Sequence, residues 1–545
     1  LLYPIQVATE IFPPLGPVSD VATIQVRLDP KPDHRPVAVQ LPMGIRDATL
    51  FRIDPNDVSS VVAGARKRVV PKLHPICPRK LARFRHFVGR WIKQNLTPLA
   101  SDTDVSREAW LEKMHGKYPA YRIEELRQID LPNGCLPSKY WKVRGFTKDE
   151  AYSEVKHMRM INPRSDESKC FAGPIFSLIE NEVFKKHWFI KKVPNIDRPN
   201  YIMEHVFAPG AKYAATDYSS FEASFSAELM ESCEMQLYKY MSQHLDGGKK
   251  WYDTIHAMMC GMQDIRYKGT RIKTVASRMS GEMCTSLGNG FTNLMLMLFA
   301  GAECGLGKLF GVFEGDDGLF RFSTGRFPTS KFFQELGFSV KMEIHETLNT
   351  ASFCGMVFDP EDKINVTDPV KSCVNLTWAP KNYIGAKTEK LRGLVKDKAV
   401  CYAHQYPGCP IVSKLAIKIS ELYKNVDDGW VRESRGYNLW NVAISNSAHS
   451  TDIPVVEPSL AARKLMEQKY GISVQSQLAI EQKIENLRAD EHLESLEWVP
   501  LNYHECFANY TNPWVDRMTK QPILAKYYDR KPFDITGPRV NIEQK

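Results

Sequence analysis

At 545 residues the chain is long enough for one large multi-lobed enzyme or for a few small domains. Hydrophobic residues make up 43% and charged residues 25%, which excludes wholesale disorder, and the nearest approach to a membrane span, residues 287–313, is broken by glycines, Glu303 and Lys308. The formal charge of +9 is a mild excess, so what matters is where it sits.

Residues 1–60 are rich in Pro and Val, and runs such as Ala22-Thr23-Ile24-Gln25-Val26-Arg27-Leu28 predict extended strands packed on another part of the molecule. The chain opens on Leu1 with no secretory signal, and is expected to be a processed product or a trimmed chain. From Arg66 to Arg90 cations crowd together: Arg66, Lys67, Arg68, Lys72, Arg79, Lys80, Arg83, Arg85 and Arg90. No Asp or Glu intervenes before Asp102, and Phe84, Phe87 and Trp91 are interleaved. Two readings stand side by side: a surface that tracks a polyanion backbone, or a solvated helix face over buried aromatics.

Helical patterns dominate from about 80 to 160, including Ser106 to Lys117 and Tyr121 to Ile129. Residues 162–200 are polar and punctuated by Pro, and 201–360 alternates short apolar strands with helices. From about 385 helical periodicity prevails, with Ile480, Ile484 and Leu487 on one face. After Met518, Pro522, Pro532 and Pro538 predict an irregular tail. Twelve cysteines without framework spacing read as reduced thiols of a cytosolic protein. Cys401, His404 and Cys409 would hold zinc if a fourth ligand came from elsewhere; core cysteines beside a surface histidine is the preferred reading.

The chemistry concentrates in three segments. In Phe310-Gly311-Val312-Phe313-Glu314-Gly315-Asp316-Asp317-Gly318-Leu319-Phe320-Arg321-Phe322 an apolar run enters a turn and another leaves it, which sets two adjacent carboxylates at a hairpin tip. Such a pair is unfavourable without a counterion, and hard Mg2+ supplies one while leaving positions for water and phosphate. An exposed Asp-Gly turn is the plain alternative. Upstream, Tyr213-Ala214-Ala215-Thr216-Asp217 reads as a strand ending in an acid. It is followed by Tyr218-Ser219-Ser220-Phe221-Glu222 and a helical stripe of Leu229, Cys233, Leu237 and Met241. Between these segments, Ser280-Gly281-Glu282-Met283-Cys284-Thr285-Ser286-Leu287-Gly288-Asn289-Gly290-Phe291-Thr292-Asn293 is a small-residue loop running into an apolar helix. It offers close backbone approach and directional hydrogen bonds, or else a simple capped helix start.

Together these segments resemble motifs A, B and C of viral RNA-dependent RNA polymerases of positive-strand RNA viruses: Asp217-x4-Glu222, Ser280-Gly281-x3-Thr285-Ser286-x2-Asn289-x3-Asn293, and Gly315-Asp316-Asp317. The form of the second motif, with Tyr406-Pro407-Gly408-Cys409-Pro410, looks most like the tombusvirus and nodavirus-like group. The resemblance covers roughly residues 60–500. It implies an α+β right-hand polymerase with an antiparallel palm sheet flanked by helices and a mostly helical thumb. The implied divisions are an N-terminal extension (1–60), fingers (61–200), palm (201–240), a fingers insertion (241–275), palm again (276–360), thumb (361–520) and a tail (521–545).

It further implies that Asp217 and Asp316 bridge two Mg2+ ions (or Mn2+), with Asp317 in support and the Tyr218 carbonyl completing a metal shell. Glu222, Ser280, Thr285 and Asn289 would read the ribose, and Gly281 would open a loop that moves with the template. Lys156, Arg159, Arg164 and Lys169 resemble motif F, which grips the triphosphate. Lys341 resembles the motif D lysine that protonates pyrophosphate, with Lys331 as its rival, and 351–358 resembles motif E. Arg66, Lys67, Arg68, Arg79, Lys80, Arg83 and Arg85 would contact RNA. Partners would be template and nascent RNA, nucleoside triphosphates and other viral replication proteins or a membrane anchor, in host cytoplasm at membrane-associated replication complexes or in a virion. One departure from the pattern is Glu222, where Asp is common. A reverse transcriptase would bring a bulky residue near the ribose and an aromatic before the paired Asp; this chain has Glu222, Asn289 and Glu314-Gly315. An inactive palm serving as an RNA-binding scaffold would have lost carboxylates that are present here.

Overall fold

The apolar runs on either side of Gly315 fold back on each other, and a sheet grows around them. A computed structural model describes residues 22–26, 38–45, 58–70, 75–115, 117–132, 134–148, 150, 157–380, 383–429, 453–493 and 541–544. Lys156 and the three tail prolines lie outside the described residues. In chain order the central elements are α1 (Pro78–Asn95), α2 (Asp166–Val183), β1 (Tyr213–Tyr218), α3 (Ala227–Ser232), α4 (Gly248–Cys260), β2 (Met262–Tyr267) and β3 (Thr270–Val275). They continue with α5 (Thr285–Glu303), β4 (Leu309–Glu314), β5 (Asp317–Phe322) and β6 (Val340–His345). Beyond them come α6 (Thr388–Gln405), α7 (Val412–Leu422), α8 (Leu460–Tyr470) and α9 (Val474–Glu485).

The architecture is α+β with antiparallel sheet. β6, β1, β5 and β4 lie side by side in that order, each antiparallel to its neighbour. Successive side chains point to opposite faces: Phe313 and Phe320 join the main core, while Val312 and Leu319 pack with Ile190, Ile202 and Phe353 on the other side. Burial on both faces explains why β4 and β5 read as nearly continuous apolar runs.

The main core is built around α5. Fourteen of its 19 residues are buried, and a helix apolar on every side has no solvent face to offer. Phe291, Leu294, Leu296 and Phe299 are essentially inaccessible, each stabilising the fold by about 1.5–3 kcal/mol. α1 lies against it through Phe84, Val88, Trp91 and Ile92, with the Phe84 and Phe299 rings 5.3 Å apart. The aromatics of the basic stretch are therefore core residues. Lys80 is a correction to the expected RNA contacts: it is buried, pairs with Glu335 at 2.7 Å, donates to the Phe332 carbonyl at 3.1 Å and sits 3.5 Å over the Phe332 ring. Its commitments are internal.

A second sheet runs Asn541–Gln544, Thr23–Val26, β3, β2, Val143–Arg144. The tail, expected to be irregular, thus contributes a strand beyond its last proline, parallel to Thr23–Val26. Ala38–Gln40 pairs with Trp378–Pro380, and Leu41, Met43 and Ile45 enter a second core with α6, α7, α8 and α9. The N-terminal segment therefore touches both the β2–β3 sheet and the C-terminal helices.

Beside the first turns of α5, Arg278 and Glu234 form an ion pair with both side chains fully buried. Tyr238 donates to Glu234 at 2.8 Å, and the Arg278 guanidinium lies 4.9 Å from the Phe225 ring centroid. Removing one partner leaves an uncompensated charge in a dry interior, whereas an apolar pair of similar volume does not. Glu234→Leu is expected to cost about 3–5 kcal/mol in denaturant unfolding, and Glu234→Leu with Arg278→Met much less. Additive losses in the double variant would refute this account.

Candidate active site

Gly315 takes a positive φ of 63° at the β4–β5 turn, a conformation that glycine adopts without a Cβ penalty. Glu314 faces Asp317 in register, so Asp316 projects from the tip. β1 runs beside β5, with Thr216 opposite Gly318, which brings Asp217 alongside the hairpin. Asp217 is the exposed member of an otherwise buried strand. On its other side Asp217 is opposite Lys341 of β6. Lys341 pairs with Glu343 at 2.6 Å and adds its charge to the Asp217 surroundings. Lys331, the rival, is exposed on the short helix Ser330–Gln334.

Asn293 holds the turn. Its amide is within hydrogen-bond reach of the carbonyls of Gly315 at 3.3 Å, Asp316 at 3.0 Å and Asp317 at 3.3 Å. The Tyr218 hydroxyl in turn donates to Asn293 Oδ1 at 3.0 Å. Burial, and then the Asp316 charge, push the Tyr218 phenol well up, so it stays a donor. Tyr218 was singled out for its carbonyl; its side chain is what orders the turn.

The electrostatics are those of an acidic site short of cations. Asp316 is pushed up to about 7, first by burial and then by Glu222 and Asp317, with Arg159 opposing. Asp317 is raised by burial, Glu314 and Asp217, and lowered by a hydrogen bond from Cys354 and by Arg159. Glu314 itself pairs with Arg198 at 2.8 Å and Lys191 at 3.3 Å. Hard oxygen donors with unbalanced negative charge fit a divalent cation of the Mg2+ type. The three motif aspartates are not among the described trios whose donor atoms all lie within 4.8 Å of one another.

Glu222 sits on the 3-10 turn Phe221–Ser224 and accepts from Asn289 Nδ2 at 3.4 Å. Asn289 is buried, and its Oδ1 has no protein partner. Of the other two expected ribose readers, Thr285 holds the loop with its side chain and Ser280 with its backbone carbonyl. The Ser280 carbonyl accepts from Asn162 N at 2.5 Å. Thr285 Oγ1 accepts from Gly281 N at 3.2 Å and donates to the Met279 carbonyl at 2.9 Å. Gly281 has φ 103°, and an added Cβ would meet Ile161 at 3.0 Å.

The expected triphosphate grip divides. Arg159 is 51% exposed, ranges 3.7 Å from Glu150 and lends its charge to both motif C aspartates. Arg164 is buried and committed: to Glu282 at 2.5 Å, the Trp141 carbonyl at 2.7 Å, Gln263 at 2.8 Å and the Met258 carbonyl at 3.3 Å. It ties the 157–164 segment to the loop before α5, a role that the sequence did not disclose. Lys169 pairs with Asp166 at 3.0 Å on the first turn of α2.

The basic stretch also splits. Arg66, Lys67 and Arg68 end the helix Val58–Arg68, and Lys67 and Arg68 bear on His157, two residues from Arg159. α1 lies elsewhere. Arg83 pairs with Glu303 at 2.8 Å at the far end of α5, roughly 21 Å along the helix from Asn289 at 1.5 Å per residue. Arg79 and Arg85 are exposed on α1. For zinc, Cys409 is buried against the Pro410 carbonyl, and Cys401, His404 and Cys409 do not bring their donors within 4.8 Å of one another.

Residues 169–382 match the family model described as viral RNA-dependent RNA polymerase, a span that holds all three aspartates. The chain is also 26% identical over 298 residues to the RNA-directed RNA polymerase of Striped jack nervous necrosis virus. That alignment covers 51% of this chain and 27% of the relative, so the chain spans about a quarter of the protein it matches. The likeness to viral RNA-dependent RNA polymerases of positive-strand type, read from the motifs, holds.

The raised Asp316 carboxyl has a consequence for metal-free protein. Its unfolded counterpart ionises near the ordinary value of 3.8, the folded one near 7. Ionisation therefore costs the folded state more, and stability falls as pH rises from about 4 to about 7. With chelator present, Asp316→Asn is expected to raise Tm clearly at pH 8 and little at pH 4. The same Tm change at both pH values would show that Asp316 carries no such burden.

Proposed function

We propose that this chain performs template-directed RNA synthesis on an RNA template, as the polymerase of a positive-strand RNA virus. The observation that carries the reading is the arrangement of Asp217, Asp316 and Asp317 on adjacent strands with their charge largely unbalanced. In this reading β1, β4, β5 and β6 form the palm, the 157–164 segment and the β2–β3 hairpin belong to the fingers, and α6 to α9 belong to the thumb.

Asp217 and Asp316 would hold the cations, with Asp317 beside them. Two Mg2+ ions, when bound, activate the primer 3′-hydroxyl and balance charge on the departing pyrophosphate. Arg159 would draw the triphosphate in, and Lys341, opposite Asp217, would pass a proton to the pyrophosphate. Arg164 is given a different part from the one its sequence suggests: it positions the Arg159 segment against the loop of Ser280 and Gly281. RNA contact is assigned to Arg66, Lys67 and Arg68 in preference to the α1 cations, because the former lie beside the Arg159 segment. Template, nascent RNA and nucleoside triphosphates would be the substrates, and the setting a membrane-associated replication complex in host cytoplasm or a virion.

Primer extension on an RNA template, with ribo- and deoxynucleotides in parallel, tests this directly. Ribonucleotide incorporation is expected, and Asp316→Asn should reduce it by several orders of magnitude while the protein stays folded and binds RNA. Undiminished synthesis by purified Asp316→Asn would remove the assignment. Deoxynucleotide preference would favour a reverse transcriptase, and RNA binding without synthesis a scaffold.

Sugar choice follows from the Glu222–Asn289 pair. Neither Glu222 nor Asn289 is the bulky aromatic that would exclude a 2′-hydroxyl, and the buried Asn289 Oδ1 lacks a partner among the described residues. A deoxynucleotide would leave such groups unsatisfied, at about 1–3 kcal/mol each. Asn289→Ala is therefore expected to lower kcat/KM for ribonucleotides far more than for deoxynucleotides, and Glu222→Asp to act more mildly. An equal loss for both sugars would place selection elsewhere.

A further inference from the structure

Away from the aspartates, three side chains of different chemistry converge between α3 and α4. Glu231 stands on α3; His256 and Cys260 stand four residues apart on α4, hence on one face of that helix. Their ligand atoms all lie within 4.8 Å of one another, and no other described trio of His, Cys, Asp or Glu does so. His256 Nε2 is already 2.9 Å from Glu231 Oε1. We propose that Glu231, His256 and Cys260 form a binding site for a transition-metal dication, Zn2+ above all, that clips α3 to α4.

The donor set selects the metal. A thiolate and an imidazole suit zinc, whereas Mg2+ takes oxygen. Zinc bonds of about 2.0–2.3 Å put the ligands of one tetrahedral ion about 3.3–3.8 Å apart, so the trio needs side-chain adjustments of a few tenths of an ångström to an ångström. Glu231 and His256 are each more than a third exposed, at 38% and 36%, which leaves an entry path and room for water as the fourth ligand. Binding replaces the Cys260 thiol proton by the metal and releases that proton to solvent, while His256 coordinates as the neutral ring. Burial, then Glu234 and Glu231, keeps that proton on sulfur in the metal-free protein.

The position gives the clip a purpose. α3 follows the turn that carries Glu222 and has six residues, too few to be stable alone. α4 leads into β2, β3 and then Arg278 and the Ser280 loop. An ion here ties the segment after motif A to the segment before motif B without touching the reacting groups.

The test uses the full chain, purified without chelator and equilibrated with limiting zinc. One tightly held zinc per chain is expected by elemental analysis, retained in Asp316→Asn and lost in His256→Ala and Cys260→Ser. Added zinc should raise Tm in the parent but not in those variants. Cobalt substituted for zinc should give a thiolate-to-metal charge-transfer band that disappears in Cys260→Ser. Zinc content in the parent no higher than in His256→Ala would overturn the proposal, as would a cobalt band that survives Cys260→Ser. If Cys260→Ser does not fold, His256→Ala alone decides, since it alters a partly exposed ring and keeps the thiol.

Discussion

Like charges held close in a poorly solvated place are the constraint that organises the centre of this chain. Asp316 and Asp317 share a tight turn, Asp217 runs beside them, and Glu222 and Glu314 add to the same field. Left to themselves these groups would turn outward to water. What prevents that is a rigid setting: a sheet buried on both faces, an apolar helix beneath it, and the Tyr218–Asn293 chain that pins the turn carbonyls. The arrangement is costly on its own account, and a divalent cation would relieve it.

The segments that frame this centre are fastened to each other more than to the sheet. Arg164 reaches Glu282, and Asn162 N reaches the Ser280 carbonyl. The loop that begins motif B and the strand-like segment bearing Arg159 therefore share a set of bonds. A displacement of one is felt by the other, so the two segments are mechanically linked. Thr285 closes the loop on itself, while Asn289 is engaged with Glu222.

Much of this was legible in the sequence, for identifiable reasons. Short motifs with fixed spacing survive reading because the chemistry is local: Asp217 at a strand end, Asp316-Asp317 in a turn, Asn289 and Asn293 one helical turn apart. The helix from Ser106 was readable because a serine cap precedes an apolar pattern, and its Oγ does accept from Ala109 N. Facing and long-range pairing were not readable. The stretch from Arg66 to Arg90 shows its charge but not that Lys80 turns inward while Arg83 meets Glu303, 220 positions away. The Arg278–Glu234 pair, the Arg164–Glu282 tie and the Cys354 bond to Asp317 leave no spacing signature, because folding alone brings their members together. The trio of Glu231, His256 and Cys260 could have been half seen, from the His-x3-Cys spacing on a helical pattern.

The placement of the first described residues bears on how the chain is made. Thr23–Val26 pairs with β3 and with Asn541–Gln544, Ala38–Gln40 with Trp378–Pro380, and Ile45 bridges to Leu493. These residues leave the ribosome well before their partners exist. At about 5–20 residues per second, Ala38–Gln40 waits roughly 17–70 s for its partner strand. Through that interval its backbone groups and the apolar Leu41, Met43 and Ile45 have no native cover. The nascent chain thus carries an unmatched edge until residues 378–380 have been made, and the N-terminal segment settles only after the C-terminal helices it packs against.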